Sequence, residues 1–213
     1  SSAASDVYKR QVVFCALCGH VCSRKVRKSQ TFVWCCRTHL QSAALCPLKP
    51  VSETEIQQAF LSVYNKLQSN QSYILQPIID TLLQLRFLQE QANSARQTAR
   101  DDVQRLAKQR HNLTRIHTLG YIDNAQFLER SIALDQQLRE KKKFLSKRTT
   151  DNSFERVLFQ TRSIQQQLGS SPPLETFDGT IFTKLVNRVQ VSPTTIEFKF
   201  MNGMTLSEKR SSL

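Results

Sequence analysis

Hydrophobic residues recur at helical spacing in the middle of the chain and at every second position near its C-terminal end. Ser52 and Glu55 form a capping box at the start of a helical pattern. The apolar residues that follow it at helical spacing are Ile56, Phe60, Val63, Tyr64 and Leu67. This spacing predicts one helix of about four turns within residues 51–73.

A longer helical pattern covers residues 74–168, where apolar and small residues repeat in heptads. The outgoing seam consists of Leu85, Leu88, Ala92, Ala95, Ala99, Leu106 and Leu113. Gly120 supplies a turn, and the returning seam consists of Phe127, Leu134, Leu138 and Leu145. The pattern predicts an antiparallel coiled-coil arm. Its turn leaves Leu119, Tyr121 and Ile122 available for contact with another protein.

The period changes to two after a linker at residues 169–180. Apolar residues then alternate at Val189 and Val191 and at Ile196, Phe198 and Phe200. Residues 181–213 therefore predict a small β-hairpin, which is too short to be stable alone. We expect it to complete the sheet formed by residues 12–50, which makes the arm an insertion in an α+β fold.

Residues 12–50 contain six cysteines and no acidic residue. Cys15 and Cys18 form a CxxC knuckle closed by Gly19, and Cys36 and Cys46 supply a second pair. Four thiolates at such spacing are the usual ligands of a tetrahedral structural Zn²⁺, which stabilises segments too short to fold by apolar burial. The segment is therefore predicted to be a zinc β-ribbon with one Zn²⁺.

The choice among the six cysteines has alternatives. Cys35 and Cys36 are adjacent in a β-rich run, so only one of them faces the metal readily, and we favour Cys36. Cys22 and Cys35 are then apolar packing residues, and His20 and His39 are reserve ligands. A disulfide framework is the alternative for the whole cluster, but the CxxC spacing and the long charged helical region downstream argue against it.

Charge indicates the class of partner. The 213 residues carry a net charge of +13, and no apolar run has the length of a membrane span. We therefore expect a soluble cytoplasmic protein whose partners are rich in phosphate rather than a membrane protein. The basic residues of the ribbon that are predicted to bind double-stranded DNA are Arg24, Lys25, Arg27, Lys28 and Arg37.

The first eleven residues have a different origin. Residues 6–11, with the sequence DVYKRQ, are what the codons GAT GTG TAT AAG AGA CAG encode. That nucleotide string resembles the transposase mosaic-end adapter of sequencing libraries. Residues 1–11 are therefore interpreted as non-native and are excluded from fold reasoning.

The combined pattern resembles the C-terminal half of the large serine recombinases, which carry a recombinase zinc β-ribbon and a coiled-coil motif. The resemblance is carried by the knuckle Cys15–Gly19, by Trp34-Cys35-Cys36, by Cys46-Pro47, by the helix from Val51 to Phe60 and by the closing strands from Phe182 to Gly203. It implies ligands at Cys15, Cys18, Cys36 and Cys46, in agreement with the alternation argument.

The resemblance also implies a function. Members of this family cut and rejoin DNA through a serine in an N-terminal catalytic domain that no segment here resembles, so no residue is predicted to be catalytic. The ribbon is expected to bind the outer part of an attachment site, and the arm to join protomers across synapsed DNA. A bacterial or phage-encoded, nucleoid-associated protein of a mobile genetic element follows from the same resemblance.

Two other classes are weighed against this interpretation. A zinc-ribbon and coiled-coil adaptor would hold protein partners together and contact nucleic acid only weakly. An enzyme with a catalytic zinc is disfavoured, because four cysteine ligands leave no open coordination position and the chain has no HExxH motif.

Overall fold

The computed structural model describes residues 13–27, 29–146 and 153–210. The predicted non-native segment, residues 1–11, lies outside them, as does Lys28. The chain divides into two compact units, one from residues up to Thr81 together with those from Glu155 onwards, the other from Leu82–Phe154. No helix within the described ranges has the length and apolar character needed to cross a bilayer.

The first unit contains every described strand. The elements in chain order are β1 (Val13–Cys15), β2 (Cys22–Val26), β3 (Phe32–Cys36), α1 (Arg37–Gln41), β4 (Val51–Ser52), α2 (Glu53–Ser69), α3 (Gln71–Thr118), α4 (Asn124–Ser146), α5 (Ser153–Ser170), α6 (Gly179–Leu185), β5 (Val186–Val191), β6 (Thr195–Phe200) and β7 (Thr205–Lys209). The mixture confirms the predicted α+β class.

The C-terminal strands confirm the predicted alternation. Val189, Val191, Ile196, Phe198 and Phe200 are all buried, and they face the core. The predicted hairpin is a three-stranded meander, β5-β6-β7, whose last turn contains Gly203 at φ 88°.

The meander completes a sheet of the ribbon, as predicted. β5 pairs in parallel with β1, so the four-stranded sheet has the order β1-β5-β6-β7. The rest of the ribbon forms a separate three-stranded sheet, β2-β3-β4. Among the strands of the ribbon, the C-terminal strands therefore pair with β1, and β2, β3 and β4 form the other sheet.

Helix α2 begins and packs as its sequence predicts. The Ser52 hydroxyl accepts a hydrogen bond from the Glu55 backbone amide at 3.0 Å. In a capping box the Glu55 carboxylate would bond the Ser52 backbone amide. Here it instead accepts a hydrogen bond from Arg210 Nε at 2.9 Å. The residues predicted at helical spacing are all buried: Ile56, Phe60, Val63, Tyr64 and Leu67.

Aromatic rings connect α2 to the four-stranded sheet. The Phe60 ring lies 5.0 Å from that of Phe182 and 5.9 Å from that of Phe198, centroid to centroid, both in edge-on geometry. Phe177 completes the group at 5.8 Å from Phe60. Since these rings come from α2, the segment before α6, α6 and β6, the core forms only when the distant parts of the chain meet.

Helix α5 belongs largely to this core. Leu158, Ile164 and Leu168 are buried, and buried Asn202 donates a hydrogen bond to Thr161 Oγ1 at 3.1 Å. The boundaries of the second unit, Leu82 and Phe154, therefore lie inside the arm predicted at residues 74–168.

The second unit contains an antiparallel pair of helices. Arg96 donates to the Leu145 carbonyl at 2.8 Å, and Lys141 lies 2.7 Å from Asp102. Arg110 pairs with Asp135 at 3.2 Å. The residue numbers of the α4 partners decrease as those of the α3 partners increase, so the two helices run antiparallel.

The predicted heptad seam is correct over only part of α3. Ala99, Leu106 and Leu113 are buried, as is Leu138 of α4. The earlier seam positions Leu85, Leu88, Ala92 and Ala95 are exposed, so this part of the prediction was wrong. The heptad pattern identifies which residues share a helix face, but burial also requires a partner helix beside that face.

An ion pair attaches the ribbon to helix α2. The Arg24 guanidinium forms a two-point contact with the Glu53 carboxylate, with Nη2 donating to Oε1 at 2.9 Å. The Arg24 guanidinium also lies over the Phe32 ring, 3.5 Å from its centroid. Glu53 is only 6% exposed, so its charge depends on this partner.

Replacing Arg24 with Met should lower the free energy of unfolding of the zinc-bound chain by about 2–3 kcal/mol, because it leaves the Glu53 carboxylate buried without its cation. Urea denaturation followed by circular dichroism measures the change. The double variant Arg24→Met/Glu53→Leu should recover most of the loss. A cost below about 0.5 kcal/mol for Arg24→Met, the level of ordinary surface substitutions, would contradict this role.

Candidate metal centre and basic surface

Four sulfur atoms from separate elements converge at one point. Cys15 ends β1, Cys18 lies in the knuckle after it, Cys36 ends β3 and Cys46 lies in the loop after α1. All four sulfurs lie within 4.8 Å of one another. Cys15 Sγ is 3.5 Å from Cys46 Sγ, and Cys18 Sγ is 3.3 Å from Cys36 Sγ. Ligands about 2.3 Å from a tetrahedral Zn²⁺ stand about 3.8 Å apart, so the cluster fits that ion.

Backbone amides turn toward these sulfurs. The amides of Cys18 and Leu17 donate to Cys15 Sγ, the His20 amide donates to Cys18 Sγ and the Leu48 amide to Cys46 Sγ. Gly19 makes the tight turn possible, with φ 75° in a region that L side chains rarely adopt. Hydrogen bonds of this kind favour the thiolate form that binds metal.

The thiols differ in how readily they ionise. Burial raises the pKa of Cys15 to about 12 and also raises the pKa of Cys46. Desolvation opposes ionisation of Cys18 too, but the Thr38 hydroxyl and the His20 amide bond to its sulfur, and its pKa falls to about 5. A divalent cation bound by these four sulfurs would supply the charge that keeps all four as thiolates.

Cys22 and Cys35 lie outside this cluster, as do the reserve ligands His20 and His39. Cys22 and Cys35 are buried, and burial raises the pKa of both thiols. Cys36 lies in the cluster and Cys35 does not, as strand alternation predicts. His39 Nδ1 donates to the Cys46 carbonyl at 2.7 Å, so it orients a ligand loop.

The predicted DNA-binding residues separate onto two faces of the β2–β3 hairpin. Lys25, Arg27 and Arg37 are exposed. Arg37 Nε donates to Ser23 Oγ at 3.1 Å, which places it beside the odd-numbered residues of β2. Arg24 points to the opposite face and contacts Glu53 and Phe32. Lys28 lies outside the described residues.

The predicted contact residues of the arm lie in the turn that connects α3 to α4. Leu119 is 62% exposed and Tyr121 is 76% exposed, whereas Ile122 is half-buried. Beside them, a groove of about 420 Å³ is lined by Gln109, Asn112, Leu113, Ile116, Arg130, Ala133 and Leu134.

Sequence reasoning missed two residues of the site. Thr38 lies 3.5 Å from Cys18 Sγ, and no spacing rule identifies a hydroxyl in this position. Glu53 had a usable signal, because it is the first acidic residue after a stretch from residue 12 that contains six basic residues. A lone acid beside so many cations is a candidate ion-pair partner.

The purified chain should contain one Zn²⁺, and Cys→Ser substitution at position 15, 18, 36 or 46 should lower its zinc content and unfold the ribbon. The matched controls Cys22→Ser and Cys35→Ser should keep about one zinc per chain, because neither sulfur lies in the cluster. Metal analysis with circular dichroism measures both. Zinc lost equally from the controls, or a ribbon that stays folded in strong chelator, would contradict the ligand set.

Comparisons with known proteins bear on the ribbon. The family model described as the recombinase zinc beta ribbon domain matches residues 10–65, which include all four clustered cysteines. A solved structure, the crystal structure of an LSR–DNA complex, aligns with 90% of this chain at 11% identity and a TM-score of 0.41. The chain spans 55% of the length of that solved chain. No curated protein gives a significant match. The match over residues 10–65 confirms the resemblance of this segment to the zinc β-ribbon of the recombinases.

Proposed function

We propose that this chain is a DNA-binding part of a serine site-specific recombinase, in which a zinc-stabilised ribbon contacts duplex DNA and the helical unit contacts other protomers. The observation that carries the proposal is the assembled four-sulfur cluster inside the segment that matches the recombinase zinc β-ribbon. No residue of this chain is assigned a catalytic role in strand exchange.

The charge of the ribbon supports a phosphate partner. Residues 12–50 carry six basic side chains and no acidic one. Four thiolates and one Zn²⁺ together contribute −2, which leaves about +4 on a small surface. Such a concentration of charge attracts the DNA backbone and releases counterions on binding.

The geometry supports three residues as the primary contacts. Lys25, Arg27 and Arg37 are exposed, and none of them has an ion-pair partner among the described residues. Most of these contacts would position the duplex through phosphates, and one arginine would be able to read a guanine edge. Arg24 supports them indirectly, because its pairing with Glu53 fixes β2 against α2.

Zinc has a structural role in this proposal. Bound to Cys15, Cys18, Cys36 and Cys46, it would cross-link β1, β3 and the loop before β4 without an open coordination position. The ion would therefore hold the basic hairpin in a fixed position relative to α2.

The helical unit offers an exposed apolar surface for a protomer contact. Leu119 and Tyr121 are largely exposed at the turn, and the adjacent groove is mainly apolar between Leu113 and Leu134. A partner's apolar side chain that enters such a groove would make a weak, reversible contact.

DNA affinity should depend steeply on salt, and the variant Lys25→Gln/Arg27→Gln/Arg37→Gln should reduce the slope of log K against log salt. Each lost phosphate contact lowers the slope by about 0.9, so up to about 2.7 in total. Fluorescence anisotropy with a mixed-sequence duplex over a salt series measures this. The control Lys108→Gln/Arg115→Gln/Arg139→Gln removes the same charge from α3 and α4 and should leave the slope nearly unchanged. An unchanged slope in the ribbon variant would remove this surface from the proposal.

In the recombinase of which this chain is proposed to be a part, Leu119→Ser/Tyr121→Ser should reduce formation of the two-site synaptic complex. Zinc content and single-site DNA binding should stay at wild-type levels, because the substitutions lie in the second unit. Gel-shift assays with one and with two sites separate these steps. The control Tyr73→Ser/Leu88→Ser alters exposed apolar residues elsewhere and should leave synapsis intact. Unchanged synapsis in the turn variant, or loss of single-site binding, would refute this division of roles.

A further inference from the structure

The two sheets of the first unit share one outer face through β1. An isolated antiparallel bridge pairs Phe14 with Val21, just before β2. On its other side Phe14 pairs with Gln190 of β5. Directly paired residues point to the same side of a sheet, and side chains alternate along each strand. The face that contains Phe14 therefore continues to Lys25 in β2 and to Arg188 in β5.

The opposite face is the core face. Val13, Cys15, Val189, Val191 and Phe198 all point to it, and all are completely buried. The register of β5, β6 and β7 extends the outer face across the meander. The residues of this outer face that are exposed or half-buried are Phe14, Val21, Ser23, Lys25, Arg188, Gln190, Thr195, Glu197, Lys199, Thr205, Ser207 and Lys209. Val33 and Cys35 of β3 lie on the same face, opposite Lys25 and Ser23, and are buried.

The meander places two cations side by side on this face. Arg188 lies directly opposite Lys199 in the β5–β6 register, an arrangement that destabilises a sheet unless an anion is present. Neither side chain forms an ion pair with any described residue. Lys209 adds a third positive charge opposite Thr195.

Arg188 is held as a platform for an anion. Its guanidinium lies over the Phe14 ring, 3.7 Å from the centroid. Its Nε atom is buried and has no hydrogen-bond partner among the described residues. Stacking on the ring restricts the side chain, so little conformational entropy remains to be lost when a ligand binds.

Acidic residues offset the positive charge of this part of the face only in part. Glu197 lies on it, opposite Gln190. Glu208 of β7 points to the other side, where Ser62 donates to its carboxylate at 2.9 Å and Lys66 at 2.6 Å. The meander therefore contributes three cations and one anion to the outer face.

We propose that the outer face is a single phosphate-binding surface for duplex DNA, on which Arg188 and Lys199, with Lys209, extend the contact made by Lys25, Arg27 and Arg37. The proposal rests on the DNA-binding function proposed above. The occupant follows from charge complementarity along the face. Neighbouring strands are about 4.8 Å apart, so β2 to β7 covers about 19 Å, or about six base pairs of duplex.

The experiment measures DNA affinity by anisotropy titration with a mixed-sequence duplex. It compares the double variant Arg188→Gln/Lys199→Gln with the single substitutions Lys184→Gln, as a control, and Glu197→Gln. The double variant should lose roughly tenfold in affinity near physiological salt and about 1.8 in salt slope, for two phosphate contacts. Lys184 is an exposed cation that lies in α6 and not on the outer face. Helix α6 packs through Phe182 against Phe60 on the core side. The Lys184→Gln substitution should change affinity less than about twofold. Glu197→Gln should strengthen binding, because it removes the anion that the meander places on the outer face.

Thermal unfolding and zinc content are measured for each variant, so that a folding defect in the double variant is recognised. If it does not fold, Lys199→Gln, which keeps the Arg188 stack on Phe14, replaces it and should lose about 0.9 in slope. Wild-type slope and affinity in a folded variant, with loss in the Lys25/Arg27/Arg37 variant, would overturn this inference alone. Absence of salt-dependent DNA binding by the wild-type chain would instead overturn the proposed function.

Discussion

The parallel pairing of β1 with β5 is the contact on which the rest of the first unit depends. Three residues of β1, Val13 to Cys15, pair with Val189 to Val191 of β5. The ladder continues for one more hydrogen bond, from the Ala16 amide to the Val191 carbonyl at 2.8 Å. This pairing holds the first sulfur of the metal centre at the end of a strand that is otherwise too short to be stable alone. It also brings the two parts of the chain that flank the helical unit into one core.

Strand alternation then divides the chemistry of the ribbon between two faces. The inner face carries Cys15, Val189 and Phe198, which pack in the core. The outer face carries Lys25 and Arg188, which point away from it. A side chain's role therefore follows from which face its strand position points to. A shift of one residue in register would move each set of side chains to the opposite face.

One carboxylate accounts for the different role of Arg24. A cation on the inner face would be costly without a partner, and Glu53 supplies that partner where α2 begins. The ion pair joins the β2–β3 hairpin to helix α2, whose Phe60 and Tyr64 are completely buried. The rigidity proposed for the basic surface thus depends on three elements together: the cysteine cluster, the Arg24–Glu53 pair and helix α2.

Local patterns in the sequence determined most of the elements and which four cysteines form the cluster. The CxxC knuckle, the alternation at Cys35 and Cys36, the cap at Ser52 and the two-residue period near Val189 each depend on neighbours along the chain, and the structure agrees with all of them. Tertiary structure decided the rest: the partner of β1, the exposure of Leu85 and Leu88, and the inward direction of Arg24. These features depend on contacts between distant residues, and periodicity identifies which residues share a face but not what covers it.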